Sequence, residues 1–335
     1  MPALYGGPKH DDPEPPAALP VPQRRAAVGV NRNSRNERAP QKSHEALNTT
    51  VIDWKRNFHS IWAAEFLAIL GFGAQSPIIP FFVQEMGVTD LARVKIWVGI
   101  IQTSGSLAVA VFAPIWGRVG DVFGRRVMFL RALFGGGAMM VCMGLSITPW
   151  QLALFRGVGG IFTGTVSAAT VLVATTVPRE RIGYCLGMIQ TAILSGSAVG
   201  PLVGGVLADL FGYRASFLIT STLLFAAAFI VLRLVKENFV RRPLEGSLLR
   251  NIIPDFSVLV VDPRLISLML TVAAVNIASG AVVPILPLFI QQLSPGAAAI
   301  GSTTGVILGL RALAGALSAA AIGRISDRLG FRRIL

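Results

Sequence analysis

Apolar residues form long runs along most of this chain, and short polar stretches separate the runs. Each run is near the twenty or so residues that a helix needs to cross a bilayer core of about 30 Å. The predicted spans cover about residues 58–84, 95–116, 127–147, 151–176, 184–207, 215–235, 264–291 and 298–322. The pattern therefore predicts an all-α membrane protein with about eight transmembrane helices.

Two segments of the chain occur twice. Gly117–Arg126 and Gly323–Arg332 share a glycine, an arginine, an aspartate, a second glycine and a final arginine at the same internal spacing, and Pro77–Gln84 matches Pro284–Gln291. Both pairs are separated by nearly the same number of residues, which indicates an internal duplication of a membrane unit.

The duplication predicts the domain organisation. We expect a disordered, basic and proline-rich cytoplasmic tail at 1–50, a six-helix bundle at 51–236, a central cytoplasmic loop at 237–263 and the start of a second bundle at 264–335. Because the chain ends as a ninth span would begin, we expect a fragment or a truncated product.

The composition agrees with a membrane protein. The chain is 53% hydrophobic and 14% charged, whereas soluble domains carry about 25% charged residues. The net charge is +13, but the basic residues lie between the apolar runs and in the tail rather than on one soluble face. We therefore expect no nucleic-acid partner. Cys142 and Cys185 fall inside apolar runs, and we expect neither a disulfide framework nor a metal site nor a cofactor.

The distribution of lysine and arginine predicts the orientation. With the tail inside, the cytoplasmic connections carry most of the basic residues, as cytoplasmic loops of membrane proteins do. The opposite connections hold only Arg93, Lys95 and Arg214. The amino terminus is therefore expected to be cytoplasmic.

The repeated loop is the first motif with a candidate role. Glycines allow a tight reversal between antiparallel helices, and Asp121 could meet a basic group or a helix N-terminus. A plain positive turn is the alternative interpretation. The motif positions are Gly117, Arg118, Asp121, Gly124, Arg125 and Arg126 in the first copy, and Gly323, Asp327, Gly330 and Arg332 in the second.

Three further motifs lie within spans. The first span holds Gly71, Pro77 and Pro80, and its prolines are expected to bend the helix toward protein or a cavity. The fourth span holds Arg156, which needs a polar partner or must reach the headgroups. The fifth span holds a glycine stripe that would let another helix approach closely. Its motif positions are Gly187, Gly196, Gly200, Pro201, Gly204 and Gly205.

Together these motifs resemble those of the major facilitator superfamily, and within it the twelve-span drug:proton antiporters of the bacterial multidrug-resistance type. The resemblance covers about residues 52 to 335. Val119, Gly120 and Val122 depart from the loop pattern, and Gly159 stands where the pattern of the fourth span has glutamine. The resemblance implies a helical bundle of that superfamily in the bacterial inner membrane, acting as a monomer.

The resemblance also implies residue roles. The repeated loop would act as a latch that closes the cytoplasmic side, and Arg156 would take part in proton coupling. In a chain without the last spans, Asp121 is expected to lack its long-range partner, whereas Asp327 could reach Arg181 and Gly183.

Several isolated polar residues remain in the spans. Glu65 suits reversible proton binding because desolvation disfavours its charged form, unless it stays wet or pairs with an arginine. Gln75 and Asn276 could bind substrate or bridge helices. Arg131 is assigned to the loop cluster, and Arg311 is a cavity candidate with no evident partner.

These features predict a secondary transporter. No GxxxxGK[ST] phosphate loop is present, so this chain does not hydrolyse ATP through one, and no catalytic set suggests an enzyme. We expect proton-coupled export of lipophilic or amphipathic small molecules by alternating access, with substrate, protons and the bilayer as partners.

Two alternatives stay open. One is a carrier of the same superfamily for a sugar or another metabolite. The other, from a different class, is a non-transporting membrane anchor or sensor in which the tail is the working part.

Overall fold

The computed structural model describes residues 53–239, 263–293 and 299–329, and their regular structure is helical. Residues 1–50 and nearly all of the predicted central loop lie outside the described residues. The helices are α1 Trp54–Ala74, α2 Ile79–Glu85, α3 Leu91–Phe123, α4 Arg125–Gly144, α5 Pro149–Phe162, α6 Thr165–Thr176, α7 Ile182–Phe211, α8 Tyr213–Leu234, α9 Pro263–Val282, α10 Leu286–Leu293 and α11 Ile300–Leu329. A 3₁₀ turn, Arg179–Arg181, precedes α7.

Most of the predicted spans correspond to helices of the right length and apolarity. In the described ranges, 6 helical segments can cross a membrane, and the bent pair of α1 and α2 raises the number to 7. The predicted span at 264–291 corresponds to α9 and α10, whose apolar stretch Leu265–Ile277 is shorter than the others. The helical membrane fold is therefore confirmed.

Side chains at helix starts explain several of these boundaries. Asp53 accepts hydrogen bonds from the backbone N–H groups of Lys55 and Arg56 at the start of α1. Asp90 does the same at α3, and Thr148 caps α5. Each satisfies donors that a helix start leaves without intrahelical partners.

The first span is bent, as its prolines predict. The axes of α1 and α2 differ by 45° across a break at residues 75–78. Pro77 has no backbone N–H to continue the helix. Pro77 and Pro80 are both buried and so face protein. Gly71, one turn before the break, packs against Leu224 of α8.

Helix α7 lies between α1 and α11 and touches both at backbone distance. An added Cβ at Gly204 would come within 1.9 Å of the Ala74 carbonyl oxygen, and one at Gly200 within 2.7 Å of the Leu70 carbonyl oxygen. On the face toward α11, an added Cβ at Gly205 would come within 2.1 Å of the Gly301 carbonyl oxygen. The predicted close approach of helices at this stripe is therefore present, on two sides of α7.

Helix α11 contributes a matching glycine stripe that the motif analysis missed. Gly301, Gly305 and Gly309 recur every fourth residue, and added Cβ atoms at the latter two would come within 2.4 Å and 2.6 Å of carbonyl oxygens of α7. The spacing is visible in the sequence, but a short repeat of glycines usually indicates packing without naming the partner helix.

We predict that Gly204→Ala disrupts the contact between α7 and α1, because its Cβ has no room beside the Ala74 backbone. Overpacking of this kind costs about 1–3 kcal/mol. Thermal denaturation of the purified chain in detergent should show a clear loss of stability.

Gly187→Ala is the matched control, because an added Cβ there meets no atom of the described residues within 4 Å. It should leave the melting temperature unchanged or raise it, since alanine is the better helix former. Equal losses from the two substitutions would contradict the packing of α7 described above.

Candidate functional site

A cavity of about 510 Å³ opens among α1, α3, α4, α5 and α6. Its volume lies in the range of small-molecule sites. Large apolar side chains form much of its wall, among them Ile69, Phe72, Val109, Met139 and Met143. Polar groups come from Gln75, Ser106, Arg156, Thr163, Thr165 and Ser167.

Arg156 brings a cation to this cavity. Its Nη2 donates to Gln102 Oε1 of α3 at 3.3 Å, and its side chain packs against Gly105, where an added Cβ would come within 3.1 Å of Nε. Gly159, which replaces the glutamine of the family pattern, also lines the cavity. An added Cβ at Gly159 would meet the Met139 side chain at 3.4 Å, so this position faces α4 rather than the guanidinium.

Gln75 lies across the cavity, just after α1. Its Nε2 donates to the Phe72 carbonyl oxygen at 3.0 Å. Its Oε1 is buried and has no hydrogen-bond partner among the described groups. The structure thus brings Gln75 to the same cavity as Arg156.

Glu65 is fully buried where α1 meets α6, with 0% of its surface exposed. The Thr165 hydroxyl donates to its Oε1 at 3.3 Å, whereas Oε2 has no partner in the described part of the chain. The carboxyl group is neither solvent-exposed nor in an ion pair with a described arginine. Because Thr165 also lines the cavity, one hydroxyl separates Glu65 from it.

The fourth span is broken beside this carboxyl group. Helix α5 ends at Phe162, Gly164 has a φ of +128°, and α6 begins at Thr165. Such a break frees backbone carbonyls, which in a membrane must find donors within the protein.

Arg131 supplies those donors, and its assignment to the loop cluster was wrong. The guanidinium donates to the carbonyl oxygens of Ile161, Phe162 and Thr163 at 3.4, 3.5 and 3.0 Å. It also lies 3.6 Å above the ring of Trp116, in a cation–π contact. The break and its partner were missed because a Thr-Gly pair within an apolar run gives only a weak signal.

A second cavity, of about 330 Å³, lies where α1, α7 and α11 meet. It shares Ile69 and Phe72 with the larger cavity and is lined by Arg311 of α11. Asn276, the other candidate of the second unit, is exposed and donates to the Val272 carbonyl oxygen of its own helix. Arg311, whose side chain is also exposed, therefore lines this cavity, whereas Asn276 lines neither of these two cavities.

The first copy of the repeated loop is a one-residue turn. Gly124, with a φ of +95°, separates α3 from α4. The carboxylate of Glu237 accepts from the backbone N–H groups of Arg125 and Arg126 at 2.9 and 2.8 Å, and so caps α4. This cap was missed because Glu237 follows α8, far along the chain.

Asp121 pairs within its own loop, with Arg125 one turn later. Arg125 also donates to the Gly117 carbonyl oxygen at 3.1 Å, and Arg126 donates to that of Leu232. Of the second copy, Gly323 and Asp327 lie in α11, with the Asp327 side chain outside the described ones, and Gly330 and Arg332 lie outside the described residues.

At the helix ends opposite the Gly124 turn, the two duplicated units contact each other directly. Gln84 and Gln291 occupy equivalent positions of the second repeated segment, and their amides donate to each other at 2.9 and 3.0 Å. Nearby, Asp209 at the end of α7 accepts from the backbone N–H groups of Gly301 and Ser302 at the start of α11. The repeat predicted equivalent positions but not their contact.

Comparisons with known proteins agree with this architecture. The sequence model described as "Major Facilitator Superfamily" matches residues 61–335. The "Multidrug resistance protein MdtG" of Escherichia coli strain 536 is 34% identical over 290 residues, which cover 86% of this chain and 70% of that protein. The protein of the same name from strain SMS-3-5 is 35% identical over equal shares of both chains.

A solved structure is also similar. It is the "human organic anion transporter MFSD10 (TETRAN)", with a TM-score of 0.48 and 20% identity. The alignment covers 55% of this chain and 48% of that one.

We predict that Arg131→Met destabilises the protein, because three carbonyl groups at the break lose their donor. Leaving buried polar groups unpaired costs about 1–3 kcal/mol. Thermal denaturation in detergent should detect the loss. Arg93→Met is the control, since Arg93 is exposed and forms only a 3.9 Å surface pair; equal effects of the two would contradict the role of Arg131.

We predict that Gln84 and Gln291 are energetically coupled. Each single alanine substitution should cost about 1 kcal/mol, because it leaves the other amide without its partner. The second substitution should then cost much less than the first. A double-mutant cycle in detergent measures this coupling, with the adjacent Gln292→Ala as the additive control. Strict additivity for Gln84 and Gln291 would show that the pair does not form.

Proposed function

We propose that this chain, which belongs to the Major Facilitator Superfamily, exports lipophilic or amphipathic small molecules in exchange for protons. Membership of that family makes it a membrane transporter rather than an enzyme. The relatives are named multidrug resistance proteins, which supports export of drug-like molecules over uptake of a sugar or another metabolite.

The carboxyl group of Glu65 carries the proposal of proton coupling. A charge inside a membrane bundle is costly and marks a functional group unless it is paired. Glu65 has one hydroxyl partner and one oxygen without a partner among the described groups. We assign it the binding and release of the transported proton.

The cavity beside Glu65 supplies the proposed coupling to substrate. Thr165 contacts the carboxyl group of Glu65 and also lines the cavity. Arg156 of α5 lines the same cavity. In our proposal, a change in the charge of Glu65 alters the hydrogen bond to Thr165 and the electrostatic field at Arg156. Proton binding and substrate binding then favour different arrangements of the same cavity.

Alternating access would use the contacts at the two ends of the bundle. We propose that the amino terminus is cytoplasmic, which places the loop at Gly124 on the cytoplasmic side and the glutamine pair on the outside. The local ion pair of Asp121 with Arg125 would exchange for longer-range contacts when the loop acts as a latch. The glutamine pair would open when the outer side opens.

We also propose the wider organisation. The chain would act as a monomer in a bacterial inner membrane, with a tail at 1–50, a bundle at 51–236, a connecting loop at 237–263 and the second unit at 264–335. Substrate, protons and the bilayer would be its partners.

The proposal predicts proton-driven accumulation of dye in proteoliposomes in which the side that faces outward in the cell faces the lumen. An acidic lumen should drive uptake of at least one of ethidium, N-phenyl-1-naphthylamine and 8-anilinonaphthalene-1-sulfonate. Glu65→Gln should abolish the dependence on the pH gradient, because an amide cannot exchange a proton in this range.

Glu85→Gln is the matched control, since Glu85 is partly exposed and pairs with Arg214 near a helix end. It should transport as the unchanged chain does. Uptake that persists after nigericin collapses the gradient would rule out proton coupling. Normal gradient-driven uptake by Glu65→Gln would remove Glu65 from the mechanism.

A further inference from the structure

The cavity of about 330 Å³ lies between the two duplicated units. Ile69 and Phe72 of α1 line both this cavity and the larger one. The two spaces are therefore adjacent compartments on either side of the same two side chains. A molecule with an extended apolar body can contact that wall from either compartment.

The lining of the smaller cavity combines apolar walls with one strong cation. Pro201, Val283 and Leu308 add to the apolar surface, and Ser76, Ser197 and Arg311 are its polar members. No aspartate or glutamate lines either cavity. A guanidinium group carries five N–H donors in a planar arrangement that matches carboxylate, sulfonate and phosphate oxygens.

Arg311 differs from Arg131 and Arg156, two other arginines that line or approach the cavities. Arg131 is occupied by three carbonyl groups and a tryptophan ring, and Arg156 donates to Gln102. The ion pairs recorded for the described residues involve Arg93, Arg125 and Arg214, but not Arg311. The Arg311 side chain is exposed, and no ion pair within the described part of the chain holds it in a helix-bridging role.

We infer that Arg311, together with Ser76 and Ser197, binds the anionic group of the transported molecule, which is an amphipathic anion. The inference rests on the proposed function and narrows its substrate class. The anionic group lies beside the guanidinium, and the apolar body lies against Ile69 and Phe72. A cationic group is disfavoured in the smaller cavity, because its lining presents arginine and, among the described residues, no acidic side chain.

An equilibrium binding experiment with two matched probes tests the inference. The anion 8-anilinonaphthalene-1-sulfonate and the neutral N-phenyl-1-naphthylamine share one aromatic body and differ by the sulfonate. Their fluorescence is titrated with the full chain in phosphatidylcholine nanodiscs, after subtraction of empty nanodiscs. No pH gradient is present, so the result is independent of the proton coupling tested above.

Arg311→Gln should weaken binding of the anion about tenfold or more and leave the neutral probe within about twofold, because only the anion uses charge-assisted hydrogen bonds. Arg311→Lys keeps the charge but loses the planar set of donors, so it should bind the anion more tightly than Arg311→Gln and less tightly than the unchanged chain. Arg93→Gln is the control for loss of a positive charge far from the cavity and should change neither affinity. Circular dichroism and size-exclusion profiles verify that each variant is folded.

Two outcomes would overturn the inference. One is that Arg311→Gln weakens the binding of both probes equally, or changes the binding of neither. The other is an anionic phospholipid that copurifies with the unchanged chain and is lost from Arg311→Gln, as measured by mass spectrometry of extracted lipids. That second result would assign the site to a lipid of the bilayer rather than to a transported molecule.

Discussion

The close approach of α7 to α1 and α11 is the contact on which the described structure depends. Glycines stand at the contact points on both faces of α7, so that backbones touch where bulkier residues would hold the helices apart. In a bilayer, helices gain little from hiding apolar surface and associate mainly through such packing. The same contact positions the first and second units against each other. The smaller cavity exists because α1, α7 and α11 converge around it.

Polar groups within the bundle must find their hydrogen-bond partners within the protein, since the bilayer offers no water as a partner. Arg131 is used to satisfy a broken helix, and Glu237 satisfies the start of α4 from the far end of α8. Among the described side chains, buried atoms without a hydrogen-bond partner remain on Glu65, Gln75, Arg126, Arg131, Arg156 and Thr304. Glu65 and Gln75 retain oxygens without described partners, near the cavities. In our proposal, the carboxyl group of Glu65 is the one that binds the transported proton.

The sequence predicted what depends on local pattern and could not predict what depends on distant contact. Runs of apolar residues located the spans, and Pro77 and Pro80 located the bend, because both effects arise within one helix. The partner of Arg131 and the cap from Glu237 join residues about 30 and 110 positions apart, and no local pattern connects them. Gly187 shows the converse, since it completes a motif but has no neighbour close enough to require glycine.

The glutamine pair has a consequence for how the two units can diverge. A residue that meets its own counterpart lies on the pseudo-twofold axis relating the repeats, as at an isologous dimer interface. A carboxylate or an ammonium group at that point would repel its copy, whereas an amide carries both a donor and an acceptor and is self-complementary. Two identical side chains can therefore bond without either unit specialising. Elsewhere the halves are free to differ, but a change at Gln84 is tolerated best when Gln291 changes with it.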